Sequence, residues 1–175
     1  MNKKTRQITL SAMFSALSAV SLYFASVWPT GQVGIVAFSS LFVAAAVIEM
    51  GIVQGIYVFI VSSLLGILLL PDKAAPLLYI LFFGFYPVIK SSSEMVRSRM
   101  LQWVIKLAVF NAALTVIWFF VRWIFIDFGE NSPGTAIIYL FGNVIFIVFD
   151  YGYTKLIWFY LNRISKYIKK GIRDK

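Results

Sequence analysis

The 175-residue chain has no cysteine and no histidine. The first absence removes disulfide frameworks and thiolate nucleophiles, and the second removes imidazole acid–base chemistry. Together they exclude metal sites built from Cys and His. Acidic residues are also few, seven against sixteen Lys and Arg, which leaves a net charge of +9. No two carboxylates have a spacing suited to paired catalysis, and no Gly-rich phosphate loop occurs. The expectation is a protein that is not an enzyme and carries no metal and no cofactor.

What the chain has instead is apolar surface. Hydrophobic residues make up 61% and charged residues 13%, far from the roughly 45–50% and 25% of soluble domains. Fourteen of the sixteen basic residues fall in three clusters: Lys3, Lys4 and Arg6; then Lys90, Arg97, Arg99 and Lys106; then Lys155, Arg163, Lys166, Lys169, Lys170, Arg173 and Lys175. Between Gln7 and Ile48 lie 42 residues without any charge. A membrane-spanning helix needs about 20 mostly apolar residues, so this run holds two spans, divided by the turn signal Trp28-Pro29-Thr30-Gly31.

The same reasoning along the chain predicts an all-α integral membrane protein. A single polytopic domain over 1–175 holds a bundle of six transmembrane helices at about 8–28, 33–49, 52–70, 76–90, 101–125 and 135–158. Because basic residues concentrate on the cytoplasmic side, both the N-terminus and the C-terminus are expected in the cytoplasm with the middle cluster. The opposite loops hold Asp72, Lys73, Asp127 and Glu130. The apolar run from Ile8 to Trp28 exceeds the roughly 7–15-residue core of a cleavable signal, so it reads as a retained helix. Pro87 is expected to end the fourth span, and Ser91-Ser-Ser-Glu94 has the form of a capping box that opens a helix. The basic tail 159–175, with Ile164, Tyr167, Ile168 and Ile172 on one side, is expected to lie on the cytoplasmic leaflet. In this setting the excess positive charge suits membrane lipid and not nucleic acid.

At 100° per residue, Ser18, Ser11, Ser15, Ala19, Ala12 and Ala16 share an arc of about 160° on the first span, opposite Val20, Met13, Leu17, Leu10 and Phe14. Small residues let helix backbones approach closely in lipid. Leu22 and Tyr23 interrupt the arc, so it is confined to the cytoplasmic half. Either another span of the chain or a second membrane subunit is expected to pack against it.

With its six predicted spans, short basic N-terminus and Ala12-Met-Phe-Ser-Ala16 on the opening helix, the chain resembles the substrate-binding S component of an energy-coupling factor (ECF) transporter. The resemblance implies a bacterial, multi-pass plasma-membrane protein that captures a vitamin or similar small-molecule nutrient from outside. It also implies docking by the first helix, at Ala12, Ser15, Ala16 and Ala19, on a coupling transmembrane subunit and through it on ATPase subunits. No residue pattern points to a particular nutrient.

Polar groups inside spans are candidates for function. Arg122, near the outer end of the fifth span and a turn before Asp127, is placed either to snorkel to the interface or pair with Asp127 or Glu130, or to hold an anionic ligand group. With Asn143, Tyr139, Gln32, Trp28 and Tyr79 it is expected to form an outward-facing aromatic and polar rim. Interfacial anchoring explains Trp28 and Tyr79 equally well. Asn111 and Asp150 reach similar depths in spans five and six and are expected to hydrogen-bond across the bundle. The alternative to nutrient capture is a noncatalytic membrane scaffold of cell-wall or cell-shape machinery, MreD-like in size and span count.

Overall fold

A backbone in lipid must satisfy its own N–H and C=O groups, and within one uninterrupted apolar segment only a helix does so. The computed structural model describes residues 3–28, 30–125 and 134–165, and no strand occurs among them. Helix α1 covers Lys3–Val27, α2 Gln32–Met50 and α3 Ile52–Leu69. The next crossing is composite: α4, Ala74–Leu78, passes into a π-helical turn, Tyr79–Phe83, and then into α5, Tyr86–Glu94. Helix α6 covers Arg99–Phe125 and α7 Gly134–Phe159, which ends in a second π-helical turn, Tyr160–Ser165. Among the described residues, six helical stretches are long and apolar enough to cross a membrane: Lys4–Val27, Gln32–Met50, Ile52–Leu69, Ala74–Glu94, Arg99–Phe119 and Ala136–Arg163.

Two local expectations are corrected in the fourth crossing. Pro87 does not end the span. It sits in the first turn of α5, where a missing N–H leaves no intrahelical bond unmade. The break that admits it lies just upstream, where the Gly84 N–H reaches back five residues to the Tyr79 carbonyl at 2.7 Å. Ser91–Glu94 then closes α5 and does not open a helix. The Ser93 hydroxyl donates to the Lys90 carbonyl at 2.9 Å, and the following helix begins only at Arg99.

Glycine sets the turn between α2 and α3. Gly51 alone separates the two helices and takes φ 103°, a conformation that residues with a Cβ rarely adopt. Four residues on, Gly55 faces Val47, and a Cβ there would collide with the Val47 side chain.

The chain divides into two compact units, residues 1–106 and 107–175. In the first, α1 packs on α2 and α3, and α2 also packs on α3, α4 and α5. Val36, Val43 and Ala46 of α2, Leu22 of α1 and Val58 of α3 are fully buried there. In the second, α6 from Leu107 onward faces α7. Phe110 and Phe146 stack at 4.6 Å with their planes 15° apart, and a Cβ on Gly142 would lie 3.0 Å from Leu114. The expected tail residues 166–175 and the loop acids Asp127 and Glu130 lie outside the described residues, as does Pro29.

Candidate functional site

The first unit is tied together by hydroxyls at mid-depth. Tyr79, at the start of the π-helical turn, is completely buried. Its OH lies 3.1 Å from Ser18 Oγ of α1 and 2.8 Å from Ser62 Oγ of α3. Ser18 also donates to the Ser39 carbonyl of α2 at 3.2 Å, and Ser62 to the Val58 carbonyl at 2.7 Å. A hydroxyl left unpaired in an apolar interior costs several kcal/mol on water-to-hydrocarbon scales, on the order of 4–8. Three helices and the composite crossing therefore meet at one satisfied polar point. Tyr79, expected on an outward-facing rim, belongs to this interior node because its ring is turned inward between α1 and α3.

At the end of the unit where α1 finishes, Gln32 Nε2 donates to Asp72 Oδ2 at 2.7 Å. The Asp72 N–H donates to Ser26 Oγ at 3.0 Å, and Asp72 Oδ1 accepts the Ala74 N–H at 3.1 Å. Gln32 thus joins the start of α2 to the loop before α4. Lys73 donates to the Ile67 and Leu70 carbonyls, each at 2.7 Å, where cations suit the end of a helix. Trp28 is 65% exposed.

At the opposite end, two lysines converge on one carboxylate. Glu94 Oε1 lies 3.2 Å from Lys90 Nζ and 3.4 Å from Lys106 Nζ. Both lysines are buried and Glu94 is half-exposed. Glu49, at the end of α2, lines a 240 Å³ pocket with Arg6, Gln7, Leu10 and Met50.

The small face of α1 is divided. Ser15 and Ser18 are buried at 3% and 0% exposure, against α2 and α3. Ala12 and Ala16 remain exposed, with Ala19 half-buried between the two sets. Internal packing therefore covers the serine flank and leaves the alanine flank open. Beside that flank runs a groove of about 730 Å³ between α1 and α3, lined by Lys4, Gln7, Ile8, Ser11, Ala12 and Ser15 on one wall and Gln54, Tyr57 and Val61 on the other.

In the second unit, Asn111 and Asn143 pair reciprocally, Nδ2 of each donating to Oδ1 of the other at 2.9 and 3.0 Å. Each amide also donates to its own helix, Asn111 to the Leu107 carbonyl and Asn143 to the Tyr139 carbonyl, both at 2.8 Å. One turn along, Thr115 Oγ1 and Tyr139 OH are 2.8 Å apart. The expected Asn111–Asp150 bond gives way to Asn111–Asn143 for a reason of register. Antiparallel helices that set 111 opposite 143 and 115 opposite 139 leave residue 150 about 10 Å further along α7. Asp150 is buried at 4% exposure, and its carbonyl accepts the Thr154 hydroxyl at 2.7 Å. The backbone of Arg122 lies in α6, while its side chain lies outside the described residues.

Among the residues expected at the rim, Asn143, Tyr139, Gln32 and Tyr79 thus bond to neighbours within their own unit. The hydroxyl node was missed in the sequence although a signal existed. Ser18, Ser39 and Ser62 each sit near the middle of an uncharged span, and polar groups at equal depth in lipid seek each other. No protein-family profile, curated protein or solved structure matches the chain.

Proposed function

We propose that the chain is the substrate-capture subunit of an ATP-driven importer of the ECF type, in the plasma membrane of a bacterium. It binds a vitamin or similar small nutrient from outside and docks through α1 on a coupling subunit, with both termini in the cytoplasm. The observation that carries this reading is the divided face of α1. Ala12 and Ala16 stay exposed although the serines beside them are buried. Exposed alanines gain little from lipid tails, whereas a second helix can approach them closely and gain dispersion contact. Arg122, with Asn143 and Tyr139, is the group on which an anionic or amide-bearing nutrient would act, Asn143 exchanging its Asn111 partner for the ligand.

Two experiments test it. Mass spectrometry of small molecules extracted from the purified protein should reveal a copurifying nutrient, lost in Arg122→Ala or Asn143→Ala. Ala12→Trp with Ala16→Trp should abolish assembly with a coupling subunit, and unchanged assembly removes α1 from the mechanism. One observation favours the noncatalytic scaffold instead: Asn143, Tyr139, Gln32 and Tyr79 are already hydrogen-bonded inside the chain. A purified protein that retains no metabolite, and whose thermal stability no vitamin raises, supports the scaffold.

A further inference from the structure

The groove between α1 and α3 has a polarity gradient that neither nutrient capture nor docking requires. Both helices start at the same end of the unit, because the chain reverses at Gly51 after α2, and Ser11 of α1 meets Met50 at the end of α2 at 3.9 Å. Lys4, Gln7 and Gln54 therefore lie toward the end of the groove where both helices start, and Ala12, Ser15 and Val61 toward the other. From Lys4 to Ser15 the groove extends about 16 Å along α1 at 1.5 Å per residue, about half of a hydrocarbon core roughly 30 Å thick. It thus spans one leaflet, with a cation and two amides at the headgroup level and almost pure C–H surface below.

We propose that this groove holds an acyl chain of an anionic phospholipid from the leaflet on the N-terminal side, with its phosphate at Lys4 between Gln7 and Gln54. Charge complementarity selects the occupant. The exposed Lys4 ammonium and the two amide N–H groups donate to phosphate oxygens, and an anionic headgroup leaves that attraction uncancelled, whereas a zwitterionic one brings its own cation to the same place. Below them, Ala12 and the half-buried Ser11 leave a shallow slot whose far wall is Tyr57 and Val61, both exposed. A flexible chain one methylene wide fills such a slot. The assignment needs no coupling subunit and stands or falls apart from the importer reading. On that reading, Ala12 belongs to both surfaces, so a groove lipid and a docked subunit exclude each other.

The test uses the full chain, purified alone in detergent, with phosphatidylglycerol or phosphatidylcholine titrated in and bound lipid counted by native mass spectrometry. One phosphatidylglycerol should be retained in preference to phosphatidylcholine. Lys4→Gln should weaken phosphatidylglycerol about fivefold, as expected for loss of one basic residue at the membrane surface, and weaken phosphatidylcholine by less. Arg97→Gln, an exposed cation outside the groove, should change neither. Val61→Trp should fill the deep end and weaken both lipids. Ser11→Leu, which narrows the slot from the other wall, serves if the Trp variant does not fold. Equal retention of the two lipids, or equal losses from Lys4→Gln and Arg97→Gln, overturns the headgroup assignment. Unchanged binding in the folded groove-filling variant overturns the groove. Phosphatidylglycerol carrying a diazirine midway along its chain should label peptides containing Ser11 or Tyr57, and labelling confined to α6 and α7 also overturns it.

Discussion

The two units solve the same problem, polar groups in an apolar bundle, in opposite ways. The first brings hydroxyls of α1, α3 and the fourth crossing together at Tyr79, with a carbonyl of α2 as a further acceptor, and both serines there also bond a backbone carbonyl. The second relies on one reciprocal amide pair and one hydroxyl pair between two helices. Their packing differs in parallel. Over an 18-residue apolar stretch of described residues, 44% of the fourth crossing is buried and 11% of the fifth. Where Gly, Ala and Ser are dense, as in Ala44–Ala46, Ser62, Ser63 and Gly66, backbones come close and burial follows. Along α7, where eight of 26 residues are Phe, Tyr or Trp, many large side chains stay exposed. The expectation is that the first unit tolerates lost hydrogen bonds better than added volume, and that the second, away from Gly142, shows the reverse.

That contrast can be broken by substitution, and the largest effect is expected at Gly84. A Cβ there would lie 2.7 Å from Phe59 and from Tyr79, so Gly84→Val should destabilise by about 3 kcal/mol or more, read as loss of the folded band or a sharply lower thermal midpoint in micelles. Next, Asn143→Leu should cost about 1–2 kcal/mol because the Asn111 carbonyl oxygen loses its donor. The double variant Asn111→Leu with Asn143→Leu should recover most of that loss, and a strictly additive double-mutant cycle would refute the pairing. Tyr79→Phe should cost less, about 0.6 kcal/mol, close to the mean for hydrogen bonds between membrane helices. A cost above that of Asn143→Leu would reverse the proposed contrast. The smallest effect, about 0.5 kcal/mol, is expected for Lys73→Met, whose carbonyl partners at the end of α3 can turn to water.

The six crossings were legible because charge is excluded from long stretches and collects between them, a pattern that depends on composition and little on packing. The site was legible only in part. Helical periodicity put Ser15, Ser18, Ala12 and Ala16 on one arc, but which flank is covered depends on where α2 and α3 lie, which periodicity does not contain. Depth alone matched Asn111 with Asp150, yet two antiparallel helices can slide by two turns without changing their hydropathy, and the register is set by contacts such as Phe110 on Phe146. Tyr79 read as an interfacial aromatic because it lies near the start of its span. A phenol OH reaches beyond its own backbone level, and Ser18 and Ser62 at mid-depth were there to receive it. At Ser91–Glu94 the capping pattern was present, but the helix already under way from Tyr86 absorbed it.

The hydroxyl node also has a history in time. Its members, Ser18, Ser39, Ser62 and Tyr79, occupy a stretch of about 60 residues, which a ribosome adding roughly 5–20 residues per second completes in about 3–12 seconds. Nothing in the node awaits α6 or α7. Ser39 and Ser62 donate to carbonyls of their own helices, Val36 and Val58, Ser18 finds its acceptor when α2 arrives, and the arrival of Tyr79 closes the set. The first unit is thereby equipped to lock while the second is still being translated, and the ribosome's order of delivery becomes the order of assembly.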